Sequence, residues 1–126
     1  MSEHSEKHEA GMTIRRQVLG DDHVDRAQAG TTDVDRDFQE WITAKVWGDL
    51  WARPGLERRE RSLITIALLA AAGHEELELH LRAARNTGAT RDQIVEALLH
   101  VAVYAGVPAA NKAFKTMKEI YGEESE

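Results

Sequence analysis

With 126 residues the chain is long enough for one domain with a real core and too short for two. Its 42% hydrophobic and 30% charged residues are those of a soluble globular protein, and a net charge of −6 argues against a general nucleic-acid binder. No cysteine is present, which excludes disulfides and thiol chemistry. The charged start, Met1-Ser2-Glu3-His4-Ser5-Glu6-Lys7-His8, lacks a secretory h-region, and no apolar run is long enough to span a bilayer. A cytoplasmic protein with neither membrane nor nucleic acid as partner is expected.

Almost every periodic segment reads as helix, and none alternates like a half-buried strand. Residues 6–19 form a first helix with a thin apolar pattern, Ala10, Ile14 and Val18, stopped by Gly20-Asp21. Residues 20–33, rich in Asp, Gly and Thr, read as a loop. Over 35–51, Phe38, Ile42, Val46 and Leu50 make one apolar stripe, while Ala44, Trp47 and Trp51 make a second. Two faces are one more than the core of a single chain needs. Arg53-Pro54-Gly55 breaks this helix.

Residues 57–72 form the next helix, apolar all round from Leu63 to Ala72 and therefore central. After Gly73 a helix runs to Asn86 on a stripe of Leu77, Leu81 and Ala84, closed by Gly88. Thr90-Arg91-Asp92-Gln93 is a capping box opening a helix over 91–105, whose buried side is Ile94, Leu98, Leu99 and Ala102. A last helix starts with Pro108 at its first position and carries Ala110, Ala113, Phe114, Met117 and Ile120/Tyr121 inward. The expected fold is all-α, a single-domain helical bundle over 1–126 of about six helices, with flexible ends at 1–7 and 122–126 and a core over about 8–121. The spare apolar face on 35–51 and the all-apolar helix predict the buried contacts of a homo-oligomer.

Chemistry concentrates in Gly73-His74-Glu75-Glu76-Leu77-Glu78-Leu79-His80, where an imidazole and carboxylates begin a helix beside the apolar run. His80 lies roughly 60° from the centre of its helix's stripe, at about 100° per residue, which suits a pocket wall. Glu76, one turn earlier, is in reach of a ring nitrogen. The same spacing also suits an ordinary surface pair. Arg61 sits just before the apolar half of its helix, where a buried guanidinium needs an anionic partner or ligand. Arg15-Arg16 has the charge to hold an anion, although most such pairs are simply solvated. Trp47 and Trp51, one turn apart, wall a small-molecule pocket or pack an interface. His23 can cap or coordinate, but no second ligand stands at metal-site spacing and no metal is expected. His4, His8, His74 and His100 read as ordinary. Phosphate loops, nucleophile elbows and zinc signatures are missing.

Five blocks carry a resemblance: Arg15 to Arg26 (RRQVLGDDHVDR), Trp47 to Leu56 (WGDLWARPGL), Arg61 to Ala67 (RSLITIA), Leu79 to Asn86 (LHLRAARN) and Tyr104 to Asn111 (YAGVPAAN). Across about residues 8–118 the chain resembles the carboxymuconolactone decarboxylase family, within the wider alkyl-hydroperoxidase D-like superfamily. The resemblance implies that superfamily's helical fold and a homo-oligomer, usually a hexamer. It also implies cofactor-independent conversion of a small anionic lactone, 4-carboxymuconolactone, to 3-oxoadipate enol-lactone and CO2 in the protocatechuate branch of the β-ketoadipate pathway.

The peroxidase branch of that superfamily carries a Glu-x11-Cys-x-x-Cys-x-x-x-His pattern. Laid on this chain, its thiols fall on Gly73 and Glu76, its His on His80 and its Glu on Arg61. Without a thiolate, peroxidase chemistry is excluded. The charge stabilisation and proton delivery that such a decarboxylation needs then make His80, set by Glu76, the expected proton donor or lactone-oxygen partner, with Arg61 as its electrostatic partner. Arg15 or Arg16 anchors a carboxylate, Trp47 and Trp51 shape an apolar wall, and His23 is second in rank. The alternatives are a paralogous decarboxylase of another small anionic lactone or acid, and a non-catalytic oligomeric binding protein.

Overall fold

Helix boundaries follow from caps and breakers that the chain carries locally. The computed structural model describes residues 2–125; Met1 and Glu126, at the tips of the two ends expected to be flexible, lie outside the described residues. Every regular element among the described residues is helical, and none of the helices is long and apolar enough to cross a membrane. They are α1 (Glu3–Leu19), α2 (Asp21–Ala29), α3 (Arg36–Ile42), a π-helical segment (Thr43–Leu50), α4 (Arg58–Ala72), α5 (Leu77–Thr87), α6 (Arg91–Tyr104) and α7 (Val107–Ser125). Helical backbone thus reaches into both ends expected to be flexible, and Pro108 stands one residue inside α7. The chain packs as two compact units, Met1–Leu56 and Glu57–Glu126.

In the N-terminal unit, the loop expected over 20–33 is largely helix. Gly20 turns the corner at φ 92°, a left-handed value that side chains disfavour. Asp21 and Asp22 then favour the positive end of α2, and the fully buried Val24 anchors it. Composition suggested a loop because α2 has a single buried residue and is held by charge. Arg16 on α1 donates to Asp21 (3.0 Å), Asp25 (2.8 Å) and Gln28 (3.1 Å).

The single helix expected over 35–51 changes pitch at Thr43. The Trp51 N–H donates to the Val46 carbonyl at 3.0 Å, five residues back, a spacing that widens the turn. With more than four residues per turn, positions four apart stay on one side, and Thr43, Trp47 and Trp51 are all buried, with Ala44 beside them. The stripe of Phe38 and Leu50 faces out, 58% and 50% exposed. The π-helical segment packs on α1 through two glycines. A Cβ on Gly11 would stand 2.1 Å from the Thr43 carbonyl oxygen, and one on Gly48 2.3 Å from the Lys7 carbonyl oxygen.

The C-terminal unit holds the larger core, built on Ile66, Leu81, Ile94, Leu98, Met117 and Ile120 from α4 to α7. The α4 helix is not buried all round: Ile66 and Ala70 face in, while Ile64 and Leu68 are 49% and 67% exposed. Leu99, expected inside, is likewise half exposed. A part-buried hydroxyl pair ties α4 to α5. Thr87 Oγ1 donates to the Ala84 carbonyl, so Ser62 Oγ is the donor in their 2.7 Å contact. Thr90 Oγ1 accepts from the Gln93 N–H (3.1 Å) and Gln93 Oε1 from the Thr90 N–H (3.0 Å), the expected capping box. Thr90→Ala is expected to cost about 1 kcal/mol of stability, measured by chemical denaturation, because two donors at the start of α6 lose their arrangement.

Candidate active site

Among the residues expected to act, Arg61, Glu76 and His80 lie in the C-terminal unit. Arg61 occupies the first turn of α4 and is half-buried, its carbonyl accepting from Thr65 Oγ1 at 2.8 Å. His80 is half-buried in the first turn of α5, between the inward Leu77 and Leu81 and one turn before the buried Ala83. The Glu76 carboxylate is exposed just ahead of α5, and the backbone joins the two residues: the His80 N–H donates to the Glu76 carbonyl at 3.3 Å. His74 does more than an ordinary surface histidine. Its Nδ1 accepts from the Glu76 N–H at 3.1 Å, which sets the turn that launches α5. Lys112 Nζ donates to the Gly73 carbonyl at 3.0 Å and covers the end of α4.

A cavity of about 250 Å³ opens beside this turn, lined by Gly73, His74, Leu77, Lys112, Ala113 and Thr116 among others. A second, of about 420 Å³, lies between Arg91, Val95, Phe114, Met117, Lys118 and Tyr121. None of the residues expected to act lines either cavity. His74 and Lys112 were not singled out from the sequence because each acts through a backbone atom, which leaves no pattern of residue types.

Arg15, Arg16, His23, Trp47 and Trp51 lie in the N-terminal unit, and the structure separates the two arginines. Arg16 is committed to Asp21 and Asp25, which raise its pKa and make it a structural clamp for α2. Arg15 is 6% exposed, and among the described residues its guanidinium donates only to neutral oxygens: Nη1 to Thr43 Oγ1 (3.1 Å) and Nη2 to Gln39 Oε1 (3.3 Å). Its Nε is buried without an acceptor, a loss of about 1–3 kcal/mol for such a group. Burial, and secondarily the charge of Arg16, push the Arg15 pKa down. The Thr43 hydroxyl donates to the Gln39 carbonyl at 2.8 Å, which turns its lone pairs toward Arg15. Trp47 and Trp51 stack in the core of this unit, 5.1 Å between ring centres and tilted by 35°. His23 is half-buried on α2.

A buried cation without a counter-charge favours binding of an anion. Helices throughout, a half-buried imidazole on α5 and a buried arginine on α1 define the class in structural terms: an all-α protein without a thiol. Comparison with known proteins narrows this. The family model of the carboxymuconolactone decarboxylase family matches residues 36–119. The chain is 44% identical over 117 residues to a 4-carboxymuconolactone decarboxylase of Acinetobacter baylyi, covering 92% of this chain and 87% of that protein. It is 42% identical over 111 residues to a nitrosuccinic acid decarboxylase of Metarhizium robertsii, covering 87% and 78%. A 4-carboxymuconolactone decarboxylase of Pseudomonas putida is 48% identical over 44 residues, 35% of this chain and 92% of that sequence. The chain belongs to the carboxymuconolactone decarboxylase family.

Proposed function

We propose that this protein decarboxylates 4-carboxymuconolactone to 3-oxoadipate enol-lactone and CO2, a step of protocatechuate catabolism. The observation that carries this reading is the 44% identity to the Acinetobacter baylyi enzyme over nearly the full length of both chains. In the substrate, the departing carboxylate stands on the carbon vinylogous to the lactone carbonyl. Loss of CO2 sends its electron pair through the C=C bond into that carbonyl, and the resulting dienolate takes one proton on the carbon alpha to it. The step balances without a redox partner. What a protein must supply is charge stabilisation at the lactone oxygen, a proton at the alpha carbon and a grip on the carboxymethyl arm.

His80 is the proton donor or lactone-oxygen partner, with Glu76 ahead of it and Arg61 as the cationic partner. Its half-buried place in the first turn of α5 supports this. One of the pair Arg15-Arg16 anchors a carboxylate, Trp47 and Trp51 supply apolar wall, and His23 is second in rank. The fold belongs in this proposal to the alkyl-hydroperoxidase D-like bundles, with residues 1–126 acting as one domain. A cytoplasmic homo-oligomer, a hexamer by family resemblance, is part of it. The outward-facing Phe38, Leu50, Leu68, Val103 and Tyr104 support subunit contacts. The fungal relative favours one further reading, a paralogue acting on another small diacid.

The test generates the lactone in situ from 3-carboxymuconate with a cycloisomerase. Adding the protein is expected to accelerate release of CO2 and enol-lactone over the spontaneous reaction; no acceleration sinks the reading.

A further inference from the structure

The geometry points to a carboxylate receptor in the N-terminal unit, in which Arg15 grips the carboxylate that the substrate keeps and the Gln39 carboxamide holds its place until it arrives. This deepens the decarboxylase reading and rests on it.

Three observations carry it. Arg15 is buried, yet among the described residues no carboxylate pairs with it; its acceptors there are one hydroxyl and one amide oxygen. Arg16 beside it is fully engaged by Asp21 and Asp25, so the two neighbours have opposite tasks. The Gln39 contact is long at 3.3 Å, and Gln39 is only half-buried on α3. A neutral amide oxygen at that distance is displaced readily by a charged carboxylate, whose bonds to a guanidinium are shorter and roughly twice as strong. The Thr43 contact is different in kind. Its hydroxyl is fixed by its own donation to the Gln39 carbonyl inside the buried π-helical turn, so it keeps the guanidinium oriented while Gln39 swings away.

Chemistry decides which carboxylate binds. Both compounds in the relatives' names bear two carboxyl groups, and a decarboxylase removes one. An arginine on the departing group would stabilise a charge that the transition state is losing, which raises the barrier. On the retained group the charge is unchanged throughout, so tight binding there positions the substrate without that penalty. Arg15 therefore selects for diacids and Thr43 acts as its positioning residue, while Gln39 only occupies the place of the carboxylate and takes no part once it is bound.

The experiment uses Gln39→Glu, which supplies Arg15 with an internal carboxylate in the place of the amide, and titrates adipate and hexanoate as probes. Wild-type protein is expected to bind adipate in preference to hexanoate. Gln39→Glu is expected to weaken adipate about 10- to 100-fold, the range for a hydrogen-bonded charge, while folding normally. In turnover assays KM rises by a similar factor and kcat stays within about threefold, since the chemical step is untouched. Gln39→Leu, which removes the placeholder without adding charge, keeps adipate binding. Unchanged adipate affinity in Gln39→Glu overturns the receptor. So does a changed subunit number in that variant with adipate binding intact, because Arg15 would then be pairing with a partner copy. Adipate binding lost as expected, in a protein whose wild type never turns over the lactone, retains the receptor and rejects the decarboxylase reading.

Discussion

His80→Gln is expected to lower kcat by roughly 10²- to 10⁴-fold, the usual contribution of a positioned proton donor. Glutamine matches the reach and hydrogen-bonding capacity of imidazole but has no proton to give near neutral pH. The α5 helix is fixed by Leu77, Leu81 and Ala84 on its inward side and by the Ser62–Thr87 hydroxyl pair at its far end. Thermal unfolding and subunit number should therefore stay at wild-type values, and the loss should appear in kcat rather than in expression. Glu76→Gln should cost less, because its carboxylate is exposed and the link to His80 runs through the backbone. A folded His80→Gln variant with near-normal turnover removes His80 from the mechanism.

The second large effect is on stability. Gly11→Ala or Gly48→Ala is expected to cost about 3 kcal/mol, since a methyl group has to displace backbone and the small helix-propensity gain of alanine offsets little of it. The obstacles are carbonyl oxygens of the facing element at 2.1 and 2.3 Å, which cannot rotate away as a side chain would. Separating α1 from the π-helical segment also pulls Arg15 from Thr43, so Gly11→Ala should weaken adipate binding as it destabilises. The readout is specific. All three tryptophans, Trp41, Trp47 and Trp51, lie in the unit Met1–Leu56, so tryptophan fluorescence in a denaturant series follows that unit alone. Gly122→Ala, where the added carbon meets nothing within 4 Å, is the control and should be neutral or slightly stabilising.

Local signals served the C-terminal unit well. The stripe Leu77, Leu81 and Ala84, the box Thr90–Gln93 and the cap at Gly88 are where periodicity and cap chemistry put them. Each depends on residues within about one or two helical turns of one another. The same signals misjudged Ile64, Leu68 and Leu99, because apolar character alone does not say whether a face is covered by this chain. They missed α2 because it is held by one buried residue, Val24, and by Arg16 reaching Asp21 and Asp25, which together make no apolar stripe. The switch to π-helical pitch at Thr43 carried no signal that a 3.6-residue period could register.

By itself the sequence determined an all-helical chain, the exclusion of thiol chemistry, and the family, since composition, caps and residue blocks are properties of the chain in one dimension. It also marked Arg15 and Arg16 together as a pair able to hold an anion, but could not divide them. Only the tertiary structure did so. Adjacent residues on a helix point about 100° apart, and here one direction meets the aspartates of α2 while the other meets Thr43 and Gln39. Those last partners stand 28 and 24 residues away along the chain. Burial and charge pairing are set by such distant contacts, and no local pattern encodes them.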